Sequence, residues 1–275
     1  TAITIITAGA VFLMWLGELI SEKGIGNGIS LLIFAGIIAR VPSSIQQIIA
    51  TYSPSQLPSY IGFIAVAVLV IVGVVIINEA QRKIPIAYAK RIRGRRVYGG
   101  FSTYLPLKVN QAGVIPIIFA LSIMLLPGMI AKFFSAAANP TIAKIANSIG
   151  DIFQNNLFYG VVYFLLVVVF TFFYTAVTFD PKAIAENIQK NGGFVPGIRP
   201  GDNTAGFFSH ILNKITLVGA LFLGLIAVLP VIMQGATGVA SLSIGGTAVL
   251  IVVSVVLETM KQVESQLVMR DYEGF

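Results

Sequence analysis

Cysteine is absent from all 275 residues. That excludes a disulfide framework, a thiolate metal site and a cysteine nucleophile. There is one histidine and one tryptophan, and no Walker A loop, so the chain carries no nucleotide-binding signature of its own. Charge is scarce as well. Asp, Glu, Lys and Arg make up 11% of the chain, less than half the roughly 25% usual in soluble domains. So few charged residues cannot cover the surface of a water-soluble globule. Disorder is excluded for the opposite reason, since it needs low hydrophobicity and high net charge.

What fills the sequence is apolar. Hydrophobic residues make up 56% of it. With glycine counted and tyrosine left out the share is about 63%, against roughly 45–50% in soluble domains. The mean hydropathy is +0.90. These values describe an integral membrane protein, whose spanning helices each need about 20 mostly apolar residues. Seven stretches meet that requirement: Ala2 to Ile20, Ile29 to Ile49, Tyr60 to Ile77, Gln111 to Ala131, Leu157 to Phe179, Ile211 to Met233 and Ile244 to Met260. Arg40 and Pro42 interrupt the second, which predicts a core ending near Ala39 and an interfacial helix after it. The chain opens Thr1-Ala2-Ile3-Thr4-Ile5, with no initiator Met and no basic n-region of a signal peptide. It reads as a fragment that begins inside a spanning helix.

The basic residues are unevenly placed. Fifteen of the 18 Lys and Arg fall in alternate connections and the tail, mostly within 79–110 and 180–210. The opposite connections hold Arg40, Lys132 and Lys144. Basic loops stay in the cytoplasm, which predicts that the chain enters from outside, crosses seven times and ends inside. The connection from 132 to 156 is rich in Ala, Asn and Ser and has room for a short surface helix.

Ionisable groups are nearly missing from the spans. Glu18, Glu79 and Glu258 fall at expected cytoplasmic helix ends, where snorkelling accounts for them. His210 precedes an expected helix and reads as interfacial. A proton-coupled carrier needs a buried acid or histidine, and none is evident. Glycines stand at two expected helix starts, in Gly24-Ile25-Gly26-Asn27-Gly28-Ile29-Ser30 and Ile244-Gly245-Gly246-Thr247. They suit either close helix packing or a break beside a water-filled cavity.

In the first long loop Ile84, Ile86 and Tyr88 alternate with period two, an extended pattern. Gly94 stands between two short β-prone runs and suits a hairpin. Seven basic residues lie from Arg82 to Arg96. They suit anionic headgroups, an acidic protein surface or RNA phosphates. The second long loop reads Asn191-Gly192-Gly193-Phe194-Val195-Pro196-Gly197-Ile198-Arg199-Pro200-Gly201. Four Gly and two Pro in eleven residues fix a set of turns. Arg199 is framed between Ile198 and Pro200, which constrains its direction.

Five strings carry a family resemblance: Trp15-Leu16-Gly17-Glu18; Lys23 to Ser30; Gly94-Arg95-Arg96-Val97-Tyr98; Leu105-Pro106-Leu107-Lys108-Val109-Asn110; and Phe194 to Gly201. In order and placement they resemble the SecY family of protein-export channels, from end to end of the chain. The resemblance implies an all-α polytopic membrane protein with ten spanning helices in two inverted halves, of which this chain would hold helices four to ten. Residues 1–50 would be the last two helices of the N-terminal half. Residues 51–262 would be the C-terminal half, five helices with cytoplasmic loops 79–110 and 180–210, and 263–275 a cytoplasmic tail. The plug and one wall of the lateral gate would belong to helices one to three.

The resemblance also implies roles. Ile29, Ile33, Ile118 and Ile251 match an apolar ring that closes the waist of an hourglass pore, where bulky aliphatic side chains favour dewetting. Asn27 would border the cytoplasmic funnel. Arg95, Arg96 and Arg199 match positions that dock the motor SecA or the ribosome. The implied protein is no enzyme and needs no cofactor. It is a passive pore in the bacterial plasma membrane, passing preproteins and working with SecE, SecG, a YidC-type insertase and membrane lipid. Two alternatives are a secondary transporter for a small solute and a scaffold whose basic loop binds lipid.

Overall fold

Several helices begin where the sequence places a side-chain acceptor before a proline or an apolar run. In the computed structural model, which describes residues 1–23, 26–50, 54, 57–88, 91–93, 96–98, 102–135, 139–237 and 246–273, Asn139 accepts a hydrogen bond from the Thr141 amide and Pro140 follows it to open a helix. Asn155 accepts from the amides of Leu157 and Phe158, and Asp180 from those of Lys182 and Ala183. Each satisfies amides that the first helical turn leaves without partners. In chain order the elements are α1 Ala2–Glu22, α2 Gly28–Ala50, α3 Leu57–Glu79, β1 Gln81–Tyr88, β2 Arg91–Arg93, β3 Arg96–Tyr98, β4 Ser102–Lys108, α4 Ile115–Ser135, α5 Pro140–Gln154, α6 Asn156–Thr178, α7 Pro181–Lys190, β5 Gly193–Phe194, α8 Asp202–Thr237 and α9 Gly246–Glu273.

The helical class holds, with a small sheet added in the region expected to be extended. β1 pairs antiparallel with β4, Ile84 opposite Leu105, and with β5, Ala87 opposite Phe194. β2 and β3 form the expected hairpin, with Arg93 opposite Arg96.

Six helical segments among the described residues, against the seven expected, are long and apolar enough to cross a membrane. The seventh expected stretch corresponds to α9, which starts at Gly246; 244 and 245 lie outside the described residues. Exposed aliphatic and aromatic side chains such as Ile64, Leu69, Val169 and Phe173 cover the spans. In water such a surface would aggregate; against acyl chains it is matched. α1 buries only Gly17.

Three expectations need correction. α2 runs through Arg40 and Pro42 without the expected break near Ala39. The hydroxyls of Ser43 and Ser44, just after the proline, both donate back to the Arg40 carbonyl. The 180–210 connection is partly helical, because α7 and the first turns of α8 lie inside it. His210 therefore sits within α8 instead of ahead of a helix. The surface helix expected between 132 and 156 is present as α5.

The chain divides into two compact units, Thr1–Val75 with Leu229–Phe275, and Ile76–Val228. In the first, α1 packs on α2 and α2 on α9. In the second, α4 packs on α5 and α6, and its core includes Ile117, Ala120, Tyr163, Val167 and Leu223.

Candidate docking platform and pore-lining positions

The alternation in β1 turns Ile84 and Ile86 inward and leaves Lys83 exposed; Arg82, near the start of the strand, is exposed as well. The inward residues do not face lipid. They join Leu107 of β4, Ala185 and Ile188 of α7, Val195, and Ala205 and Phe208 of α8 in one buried cluster. Thus the two basic connections, about a hundred residues apart in sequence, share a single hydrophobic core and one sheet. Phe208 and Leu107 are sealed almost completely. Burying a large apolar side chain contributes about 1.5–3 kcal/mol, and Ile84 and Ile86, nearly as deeply buried, contribute on the same scale.

This core sets the direction of Arg199. Ile198 packs against it, and the Ile198 amide closes a turn on the Val195 carbonyl at 3.1 Å. The Thr204 hydroxyl, itself buried, donates to the Arg199 carbonyl at 2.9 Å. Gly197 and Gly201 flank the arginine with φ of +84° and +98°, backbone that an L side chain rarely adopts. Backbone and neighbours are held while the guanidinium side is exposed. Arg96 lies on β3 with its side chain outside the described residues, and Arg95 falls outside them altogether.

The foot of the platform is pinned. The Val109 amide donates to the Ala80 carbonyl at 2.9 Å. Asn110 donates through Nδ2 to Asn78 Oδ1 at 2.8 Å and is nine-tenths buried. Gly219 of α8 lies over this joint; a Cβ there would stand 2.7 Å from the Val109 carbonyl oxygen. The Val109-Asn110 end of one family-like string is therefore a packing joint between β4, α3 and α8.

The glycines of the Lys23 to Ser30 string settle one alternative toward helix packing. A Cβ on Gly28 would overlap the Gly17 carbonyl, and one on Gly17 would come 2.9 Å from Ile29 Cγ1. Ser21 holds the crossing from within, its hydroxyl donating to the Gly17 carbonyl and accepting from the Gly28 amide. Asn27 is exposed and caps α2, its Oδ1 accepting from the Ser30 amide at 3.2 Å. Gly24 and Ile25 lie outside the described residues, as do Ile244 and Gly245 of the second glycine string.

Ile29 and Ile33 lie four apart on α2, hence on one face. Ile29 is 50% exposed and Ile33 half-buried. Ile251 is buried on α9, the helix against which α2 packs. Ile118 is half-buried on α4, in the other unit. Among the described residues the buried side chains include Asn110, Thr171, Thr175, Thr204, Thr216 and the phenol of Tyr163, and no Asp, Glu, His, Lys or Arg. Glu258 lies inside α9 and not at its end, because that helix continues to Glu273. Sequence reasoning did not reach Thr204, Asn78 or the shared core. The signals for the shared core were Asp-Pro ahead of α7 and isoleucines with helical spacing inside a segment read as loop.

Comparison with known proteins agrees with the strings. The SecY family matches residues 1–260. The SecY protein translocase subunit of Thermotoga maritima is 51% identical over 268 residues, covering 98% of this chain and 59% of that protein. Those of Mycobacterium bovis and Thermus thermophilus are each 48% identical, covering 99% and 98% of the chain and 63% and 60% of the relative. The chain thus spans about three-fifths of the length of the curated relatives it matches. A solved protein-conducting channel superposes with a TM-score of 0.59 at 22% identity, over 94% of this chain and 63% of its own. A SecY channel structure concerned with the plug domain gives 0.58, also at 22% identity, over 94% and 64%. These two show the fold. A family match over nearly the whole sequence, with about half of all positions identical in bacterial relatives, places this chain in the SecY family.

Proposed function

We propose that this chain contributes to the central channel subunit of the Sec translocase, passing unfolded secretory proteins across the bacterial plasma membrane. Membership of the family supports this reading, and the carrying observation is the platform that holds Arg199 outward on a shared core. α4 and α6 would form one wall of a lateral gate that releases apolar segments into lipid. Ile29, Ile33, Ile118 and Ile251 would close the pore around a passing chain without binding it. Asn27 would border the cytoplasmic funnel, in addition to capping α2. In this reading the halves divide at 1–50 and 51–262, the tail 263–275 is cytoplasmic, and SecE, SecG and a YidC-type insertase are partners. The basic side faces the cytoplasm, as the charge asymmetry suggests. Arg95, Arg96 and Arg199 would meet SecA or the ribosome, since a guanidinium pairs in fork geometry with carboxylate and phosphate alike. The solute-transporter alternative has no support from the family.

The test is the Arg199→Glu variant in the complete translocase. Reversing a charge at such a contact should slow motor-driven export by roughly tenfold or more, while insertion of the channel into the membrane stays normal. Export at the usual rate would remove Arg199 from the docking surface. A separate expectation concerns the seal. Ile251→Asn or Ile118→Asn puts a hydrated amide where dewetting is required. Ion leak should rise and signal-sequence stringency should relax; both unchanged would refute the ring.

A further inference from the structure

A cavity of about 590 Å³ opens between α4, α5 and α6 and is lined by none of the platform or pore residues named above. Its size suits a small-molecule group. It lies where two spanning helices end, between the last turn of α4 and the first of α6, with α5 as the third wall. α5 approaches closely because its inner face is small. Ala146 is buried, and a Cβ on Gly150 would rest 3.7 Å from Ala131 of α4.

The lining is amphiphilic. Met124, Met129, Phe153 and Tyr159 supply apolar walls, and Lys132 and Asp151 supply one charge of each sign. The two charges come from different helices and, among the described residues, form no ion pair with each other. Both are exposed and able to meet a ligand. The walls run out onto Leu125 and Met129, which are exposed on the span of α4. A second feature places the cavity at the edge of the hydrocarbon. Ile142, Ile145, Ile149 and Ile152 form an exposed stripe along α5. An apolar stripe of that spacing on a helix joining two spans suits the headgroup–acyl boundary.

We propose that this cavity binds a zwitterionic aminophospholipid, its phosphate at Lys132, its primary amine at Asp151 and the start of its chains along Met129 and Leu125. Charge pairs both ends of such a headgroup. A purely anionic lipid would leave Asp151 opposed to like charge, and a quaternary amine offers that carboxylate no N–H to accept. The basic-residue asymmetry places the site in the outer leaflet. The binding itself does not depend on that placement, nor on the channel reading.

The test is native mass spectrometry of the purified chain in the translocase, titrated with phosphatidylethanolamine, phosphatidylcholine or phosphatidylglycerol. Phosphatidylethanolamine should be retained in preference to the other two. Lys132→Gln and Asp151→Asn should each lower that retention by roughly tenfold, the loss of one charge-assisted hydrogen bond. Lys132→Arg should keep it, showing that the fold survives change at that position. Asp151→Asn should not weaken phosphatidylglycerol binding. Glycerophosphoethanolamine, the headgroup without chains, should not be retained, which separates a lipid site from a phosphate site. Equal retention of all three lipids, charge variants that bind as the parent does, or retention of the chainless headgroup would each overturn the proposal. Export activity is not read in this experiment, so its outcome stands apart from that of the channel reading.

Discussion

Ile86→Asp is expected to unfold the platform while leaving the α4–α6 packing in place. Ile86 is 3% exposed and shares its cluster with residues from β4, α7 and α8. Two costs add. Losing a buried aliphatic side chain removes about 2–5 kcal/mol. The carboxylate either stays charged without a partner or takes up a proton, and both add several kcal/mol. A cluster of eight buried residues has little reserve against that sum. Ile86→Val removes one methyl group, costs about 0.5–1.5 kcal/mol, and should leave the platform folded. The measurement is limited trypsin digestion of inverted vesicles. In the variant, cleavage after Lys182 and Lys190 on α7 should quicken severalfold, although the substitution is in the other loop. An unchanged digest would show that the two loops do not depend on one core. Cleavage of these sites from the opposite side of the membrane would reverse the proposed orientation.

Gly28→Ala should be the most damaging single methyl group in the α1–α2 hairpin. Its Cβ would overlap the Gly17 carbonyl and lie 2.9 Å from the Ile20 Cβ, so the obstruction is mostly backbone. Overpacking by one methyl group costs about 1–3 kcal/mol where side chains can shift. Here a whole helix must move, which argues for the upper end or beyond. Helix propensity works the other way, since alanine is favoured over glycine by about 1 kcal/mol in a helix interior. Gly36→Ala on the same helix isolates that term, because a Cβ there meets nothing within 4 Å. In detergent, Gly36→Ala should melt at or slightly above the parent temperature and Gly28→Ala several degrees below it. Equal melting temperatures would mean that the helices do not cross so closely.

Both predictions rest on features that the sequence showed without explaining. The run from Gly24 to Ser30 suited either a tight crossing or a break beside water, since glycine permits both. Only the position of Gly17 across from Gly28 chose between them. Arg40 and Pro42 read as the end of the membrane core near Ala39 with an interfacial helix after it, and in the structure one helix runs through both. The turns expected from the glycines and prolines of 191–201 are there, but the helix ahead of them was not read. That helix, α7, was signalled by Asp180 before Pro181, a cap that asks for one side-chain oxygen and little else.

The sequence alone determined the solvent. Scarce charge and long apolar runs leave no fold that water would tolerate, and spanning length follows from bilayer thickness and helix rise. It also determined the extended first loop, because a period of two is written directly into Ile84, Ile86 and Tyr88. Those are local properties, each set by neighbours within a few positions. The tertiary structure decided the rest: that Ile84 and Ile86 face α7 and Phe208 instead of lipid, that Gly28 meets Gly17, and that Lys132 and Asp151 share one cavity. Such pairings join residues on different elements, from about a dozen to more than a hundred positions apart. Which apolar face meets which partner depends on shape complementarity across the whole unit, and no short window of sequence contains both sides of it.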